Sequence, residues 1–309
     1  MFVVLRQEIF RYDALLETIH SSSSELVSAI NGDIALSDKI EALYDSLLAY
    51  KLPVSWRHQS GYESMKSLSL WIADLNSRCL FLRQWATQVR DFLHFHCASL
   101  FSTKIQNKHS MSSAYSQDVP EQEPRTEPRV FWLSAFIYPQ GFLTAVQQMA
   151  ARKYKVPVDT LIFNFTVTKE NWHTKKGILE QIKDGPPPPT SGILVMGLYL
   201  DSAKWDVAKS QLDSLKSAGD DRFNALPEIH FDPRPAAPGQ VKLSRMFSSL
   251  PKVYECPVYR TSRRAGILSS TGQSTNFITS VNLPSKSDST ELILRGVALL
   301  CQLDDRNES

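Results

Sequence analysis

The spacing of apolar residues changes once along this chain, and that change limits the folds it can adopt. Near the start, apolar residues recur at steps of four, three, four and three, as on one side of an α-helix. These residues are Leu5, Ile9, Tyr12, Leu16 and Ile19. Beyond Pro157 the step becomes two, because LIFNFTVT at 161–168 alternates in the manner of a strand with one buried face.

The helical spacing continues through the first hundred residues. It predicts helices over 37–50 and from Tyr62 to about Phe101, while the run SSSSEL at 21–26 is expected to interrupt the first helix and cap the next. Pro139 and Gly141 are expected to start another helix that ends near Tyr154.

Short strands with proline-rich loops are predicted in the second half. Beyond 161–168 they cover 192–200, 227–231, 254–261, 275–281 and 292–300. Because no regular helices separate them, we predict an α+β fold, a helical segment followed by a small antiparallel β-barrel or sheet. The predicted domains are helical 1–101, a disordered polar insertion at 102–129, a connecting segment with a helix at 130–156, and a β-rich barrel-like region at 157–309.

Charge and cysteine content exclude several function classes. The net charge is +2, from 34 basic and 32 acidic side chains, which argues against a nucleic-acid-binding surface. The four cysteines form no CxxC pair, so a reducing, cytosolic setting is expected. No run reaches the roughly 18 apolar residues of a membrane span, and the start lacks a signal peptide's apolar region.

The candidates for chemistry are weak. The segment 266–275 has five residues between its glycines, and Gln273 stands where a P-loop needs lysine, so a nucleotide site is not expected. His94 and His96 are two apart on a predicted helix and cannot grip one ion. Asp201 and Asp206 could form an acid/base pair, although aspartates after strands more often cap turns. We therefore predict no catalytic, cofactor-binding or metal-binding residues in this chain.

Large aromatic and basic side chains favour an interaction role instead. Tryptophans are frequent protein–protein anchors, and the RTSRR segment could contact an acidic partner. The candidate core or docking residues are Trp56, Trp71, Arg78, Trp85, Trp132, Trp205, Arg260, Arg263 and Arg264.

Eight long segments, in order along the chain, carry a pattern of their own: VLRQEIFRYDALLETI near the start, LPVSWRH around Trp56, LWIADLNSRCLFLRQW at 70–85, VFWLSAFIYPQGFLTA at 130–145, ARKYKVPVDTL at 151–161, GLYLDSAKWD at 197–206, YECPVYRTSRRAGILSSTGQSTNF at 254–277 and RGVALLCQLDD at 295–305. Together they resemble the C-terminal domain of dynein heavy chains. The ending is more similar to axonemal than to cytoplasmic heavy chains. The resemblance implies a helical segment and a small β-barrel lying on one face of a ring of six AAA+ modules.

The same resemblance implies partners and a location. The partner would be the AAA+ ring of the same heavy chain, with ATP and Mg²⁺ bound upstream in that ring. Other dynein subunits, including light intermediate chains, and microtubules would be contacted indirectly, with no nucleic acid or membrane. The expected role is to modulate minus-end-directed microtubule movement in the cytoskeleton, in a cilium or flagellum axoneme, without chemistry of its own.

Four features depart from the family pattern. They are the insertion at 102–129, the expanded stretch at 232–252, Ala135 in place of a small glycine, and Gln273 where histidine is common. The alternative to a motor segment is a free-standing adaptor that binds a partner through exposed aromatic side chains.

Overall fold

The computed structural model describes residues 1–58, 62, 64–88, 127–169, 186–215, 221–236, 252–264 and 274–303. The protein divides into two compact units. The helical unit contains residues 2–62 and 67–128, and the β unit contains residues 1, 63–66 and 129–309. Most of the predicted insertion, 102–126, lies outside the described residues.

The helical unit contains four described helices. They are α1 (Phe2–Ile30), α2 (Asp38–Leu48), α3 (Val54–His58) and α4 (Leu68–Gln88). The predicted stripe on α1 is confirmed at Leu5, Ile9 and Tyr12, which are buried. The helix predicted from Tyr62 begins at Leu68 in the structure, and its predicted portion beyond Gln88 lies outside the described residues.

The serine run does not interrupt α1, contrary to the prediction. Ser22 Oγ donates to the carbonyl oxygen of Thr18 at 2.7 Å, and Ser24 Oγ donates to that of His20 at 2.8 Å. Serine hydroxyls inside a helix often bond one turn back in this way. The helix therefore continues to Ile30, because the hydroxyls are satisfied without capping a new helix.

The described part of the β unit contains eleven strands, two α-helices and two 3₁₀ turns. The strands are β1 (Phe131–Trp132), β2 (Leu161–Val167), β3 (Ile193–Met196), β4 (Tyr199–Asp201), β5 (Ala203–Asp206), β6 (Gln211–Ser214), β7 (Phe223–Ala225), β8 (Ile229–Pro235), β9 (Val253–Tyr259), β10 (Phe277–Pro284) and β11 (Ala298–Leu300). The helices are α5 (Pro139–Tyr154) and α6 (Ser289–Leu294). The predicted start and end of α5 are confirmed, and Lys155 ends it with a φ of 56°.

The strands form mixed sheets, which corrects the prediction of an antiparallel barrel. One sheet has the order β1-β3-β8-β2, a second has the order β10-β9-β11-β4-β7, and β5 pairs with β6. The β1/β3 and β9/β11 pairs are parallel. Parallel neighbours need a crossover connection, and here helices α5 and α6 lie within those connections. Neither larger sheet closes on itself within the described strands.

Antiparallel ladders supply the longest pairings and much of the buried core. In the β2/β8 ladder Phe165 lies opposite Phe231, and in the β9/β10 ladder Val281 lies opposite Cys256. Helix α5 packs on β8 and β10 and buries Phe142. The core of the β unit therefore lies between α5 and the sheet surfaces.

The strand predicted over 292–300 is correct only at its end. Asp288 accepts a hydrogen bond from the Thr290 backbone N–H at 3.2 Å, so α6 begins there and ends at Leu294. A capping aspartate favours a helix start. Only Ala298–Leu300 remains extended, as β11.

Candidate functional site

A buried ion pair and three stacked rings lie together in the helical unit. Arg78 Nε donates to Asp74 Oδ2 at 2.6 Å, and the Tyr62 hydroxyl donates to the same oxygen at 2.9 Å. The Arg78 guanidinium lies 3.8 Å from the centre of the Tyr62 ring. The Tyr62 ring stacks on Trp71 at 5.6 Å, and Trp71 stacks on Trp56 at 6.3 Å. Three candidate residues, Trp56, Trp71 and Arg78, therefore meet in one cluster.

The charges of this cluster are closed to solvent. The side chain of Arg78 is 2% exposed and that of Asp74 is 5% exposed. Burial disfavours the charged guanidinium, but the oxygens of Tyr62 and Asp74 outweigh it and raise the pKa of Arg78. Burial also raises the pKa of the Tyr62 phenol. Arg78 therefore stays charged and the Tyr62 phenol stays protonated at neutral pH, and their contacts with Asp74 join α4 to Tyr62.

All three tryptophans of the helical unit, Trp56, Trp71 and Trp85, are buried. Trp56 Nε1 donates to Ser22 Oγ at 3.0 Å, which ties α3 to α1. The Trp71 indole N–H is buried and has no hydrogen-bond acceptor among the described residues. Trp85 is 1% exposed on α4. Their bulk fills the helical core, and a docking role for them stays a prediction.

Asp201 joins three segments of the β unit. Arg222 donates to both carboxylate oxygens, at 2.8 and 3.0 Å, and Arg264 Nη2 donates to Oδ2 at 2.6 Å. The Ser202 hydroxyl donates to Oδ1 at 2.7 Å. Burial raises the pKa of Asp201, but these hydrogen bonds and the two positive charges outweigh it, and the net direction is downward. An aspartate held ionised in this way is an ion-pair anchor.

The proposed Asp201–Asp206 acid/base pair gains no support from the contacts. Asp206 accepts a hydrogen bond from the Lys209 backbone N–H at 3.1 Å, within the turn that joins β5 to β6. Asp201 is occupied by Arg222 and Arg264. Asp206 therefore caps a turn, which is the alternative that the sequence offered for it.

The three arginines of the RTSRR segment have separate surroundings. Arg260 Nη1 donates to the Ile137 carbonyl oxygen at 2.7 Å and Nη2 donates to Gln140 Oε1 at 3.0 Å, which ties β9 to the start of α5. Arg264 contacts Asp201, and Arg263 is exposed. The structure brings these arginines into different contacts, so they do not form one basic patch.

Two candidate tryptophans of the β unit, Trp132 and Trp205, lie in described strands. Trp132 is 6% exposed, and a Cβ on Gly197 would lie 2.7 Å from its ring, so only glycine allows the backbone to pass so close. Gly197 also has a φ of 75°, and it connects β3 to β4, which lie in different sheets. Trp205 lies in β5, half-buried and opposite Leu212.

The described residues give little support to a metal site or a reactive thiol. They contain no group of three or more His, Cys, Asp or Glu side chains that could hold a metal ion. Cys79, Cys256 and Cys301 are buried, and burial raises the pKa of the Cys79 thiol to about 12. His94, His96 and Gln273 lie outside the described part of the sequence. Among the helices that the structure describes, none combines the length and the apolar character needed to cross a membrane.

Six exposed apolar side chains lie within the α1–α2 hairpin, and the sequence does not reveal their exposure. These side chains are 43% to 66% exposed, and we call them the hairpin face: Val27, Ile30, Ile34, Leu36, Tyr44 and Leu48. The helical spacing groups Leu48 with the core residues Ile40 and Leu43, but Leu48 is 66% exposed. The signal available was that Tyr44 and Leu48, four apart, lie beside the buried row and not in it.

Comparison with known proteins identifies the family. The family model for the C-terminal domain of the dynein heavy chain matches residues 1–301. Mouse dynein axonemal heavy chain 3 is 34% identical over 306 residues, which is 99% of this chain and 6% of that protein. Human dynein axonemal heavy chain 6 is 32% identical over 314 residues, covering 98% of this chain and 6% of that protein.

A third relative agrees with these two. Mouse dynein axonemal heavy chain 12 is 33% identical over 310 residues, covering 99% of this chain and 8% of that protein. The chain thus spans less than a tenth of the length of these curated relatives. With the family model matched over nearly its whole length, this chain belongs to the family of C-terminal domains of dynein heavy chains.

Proposed function

We propose that this chain packs on the AAA+ ring of a dynein heavy chain and biases the conformational cycle of that ring. The observation that carries the proposal is the family match over residues 1–301, together with the similarity of 99% of this chain to a short part of an axonemal heavy chain. The role is one of coupling: contacts that differ between ring conformations shift their populations. Minus-end-directed movement along microtubules, in a ciliary or flagellar axoneme, is the activity that this coupling would modulate.

In this proposal the chain has no chemistry of its own. ATP and Mg²⁺ would bind in the upstream ring modules. The closed ion pairs at Asp74 and Asp201 support this, because both carboxylates already have arginine partners. The comparisons give no support to a free-standing adaptor.

Two measurements test the proposal. In sedimentation velocity, the 309-residue protein should associate with a heavy-chain motor segment that lacks the corresponding residues, and it should change the ATP turnover of that segment. The protein alone, with ATP and Mg²⁺, should show turnover no higher than buffer. Absence of association, or turnover by the protein alone that a Gln273→Ala substitution abolishes, would refute the proposal.

A further inference from the structure

We propose that the hairpin face binds a basic amphipathic helix, supplied by the AAA+ ring of the heavy chain. This inference rests on the proposed function and adds where the contact lies and what chemistry the partner has. It follows from three observations: the hydrogen bonds that fix the hairpin backbone, the positions of its apolar side chains, and the charged residues around them.

The exposed apolar side chains lie on an ordered backbone. At the end of α1 the Gly32 N–H donates to the Ala29 carbonyl oxygen at 3.1 Å, and the Asp33 N–H donates to that of Ser28 at 2.9 Å. This bond pair, with Gly32 at a φ of 83°, is a Schellman turn, which fixes the end of a helix. The surface is therefore preformed, which lowers the entropic cost of binding.

The apolar residues extend along both helices of the hairpin. Tyr44 and Leu48 are four apart on α2, and Val27 and Ile30 are three apart in the last turn of α1, so each pair shares one side of its helix. An amphipathic helix binds a partner by laying its apolar face on apolar side chains of the partner. The remaining members, Ile34 and Leu36, lie in the connection between the two helices.

The surroundings of the hairpin face are acidic, although the whole protein has a net charge of +2. The exposed carboxylates within 25–51 are Glu25, Asp33, Asp38, Glu41 and Asp45, against two lysines, Lys39 and Lys51. Asp38 and Glu41 lie in the first turn of α2 and stabilise its positive end. None of the five carboxylates forms an ion pair within the described residues.

Charge decides between the possible occupants of the face. A second copy using the same face would bring unpaired carboxylates against each other, and an anionic lipid surface would be repelled by them. A helix with an apolar stripe flanked by lysine or arginine complements both the apolar residues and the carboxylates. Such a helix can be contributed by the large remainder of the heavy chain.

The binding test uses the 309-residue protein and two synthetic amphipathic peptides, one of leucine and lysine and one of leucine and glutamate. By fluorescence anisotropy the leucine–lysine peptide should bind and the leucine–glutamate peptide should not. The I30D/L48D variant should weaken binding at least tenfold. The matched control I293D/L294D, which changes residues that are 65% and 83% exposed on α6, should leave it unchanged.

A charge-reversal variant separates recognition from a loss of folding. E41K/D45K should weaken binding of the leucine–lysine peptide and allow the leucine–glutamate peptide to bind, which an unfolded protein would not do selectively. Hydrogen exchange should show protection of 27–48 on binding. Equal binding of both peptides, protection elsewhere, or a dimer that dissociates in I30D/L48D would each overturn the inference, the last in favour of a second copy.

Failure of this inference is distinguishable from failure of the proposed function. If the wild-type protein and I30D/L48D associate equally well with the motor segment, the hairpin face is not the contact surface, although the ring remains the partner. If I30D/L48D loses at least tenfold in affinity for the motor segment while I293D/L294D does not, the inference is supported.

Discussion

Asp201 shows how one buried carboxylate can hold a β unit together. It accepts hydrogen bonds from Arg222, Arg264 and Ser202, so β4, the segment before β7 and the segment after β9 meet at one side chain. The sequence could mark Asp201 as a polar residue after a strand, but not its partners, which are 21 and 63 residues away. Long-range pairing of this kind depends on the sheet order, which no local pattern specifies.

We expect Asp201→Asn to lower the free energy of unfolding by about 2 kcal/mol at pH 7, because Arg264 loses its buried partner while the more exposed Arg222 can rehydrate. The folded pKa of Asp201 is lowered, so its contribution is present above the unfolded pKa of about 4 and is lost as pH falls through the folded value. Urea unfolding at pH 7 and pH 3 measures this. Asp206→Asn is the control and should change stability little, since asparagine can still accept from Lys209; equal losses would contradict this account.

Asp13 differs from Asp201 in being a half-buried carboxyl on α1 with no charge partner among the described residues. Its Oδ1 atom has no hydrogen-bond donor among the described residues, and burial raises its pKa to about 6. Its negative charge also contributes to the raised pKa of the Cys79 thiol. Ionised Asp13 therefore destabilises the helical unit above about pH 6.

We expect Asp13→Asn to stabilise the protein by about 1 kcal/mol at pH 7.5, after allowing for solvent screening of a half-exposed carboxyl. A raised folded pKa means that the cost of ionisation is present in full above about pH 6 and disappears below the unfolded value near 4. The advantage should fall to about half at pH 5. Urea unfolding at both pH values measures it, with the exposed Glu25→Gln on the same helix as control; a pH-independent difference would exclude this explanation.

At the scale of elements, the end of α2 is strained. Tyr50 has a φ of 54°, its N–H donates to the Leu47 carbonyl oxygen at 3.1 Å, and the Lys51 N–H donates to that of Ser46 at 2.9 Å. This is the position in a Schellman turn that glycine prefers. The tyrosine side chain is 77% exposed, so little packing offsets the backbone strain.

We expect Tyr50→Gly to be more stable than Tyr50→Ala by about 1 kcal/mol, because alanine keeps the Cβ that disfavours the left-handed conformation. Both substitutions remove the side chain, so their difference isolates the backbone. Thermal or urea unfolding of the two variants measures it. Equal stabilities would show that the left-handed conformation at Tyr50 is not maintained in solution.

The elements differ in how far sequence could predict them. Helix α5, strand β2 and the first part of α1 have clear periodicity, and their predicted residues agree with the structure. The β5/β6 hairpin was missed because strands of four residues are too short to show alternation. The predicted interruption of α1 at the serine run was wrong. A serine hydroxyl can cap a helix start or hydrogen-bond one turn back within a helix, and the sequence alone does not distinguish these two roles.

At the scale of the whole molecule, burial could be predicted only in part. Trp56, Trp71 and Arg78 were candidates for either core or docking, and the structure places all three in the interior of the helical unit. The hairpin face could not be predicted from the sequence, because its apolar side chains have the same chemistry as core residues. The antiparallel barrel was wrong because the parallel β1/β3 and β9/β11 pairs depend on long connections that local patterns do not reveal.

Exposed apolar side chains also differ between regions of the molecule. The α1–α2 hairpin carries the six residues of the hairpin face, whereas α6 carries only Ile293 and Leu294 among its exposed large apolar residues. Grouped exposed apolar side chains mark interaction sites, so the hairpin face suits the ring contact that we propose. We therefore assign the proposed recognition to the helical unit, whereas Asp201 and Arg260 make internal contacts in the β unit.

The most direct test is an electron cryomicroscopy structure of the motor segment reassembled with this protein. We expect density for the protein against the AAA+ ring, with Tyr44 and Leu48 covered by a helix of the ring. A reassembled motor in which no ring module contacts the protein would contradict this expectation.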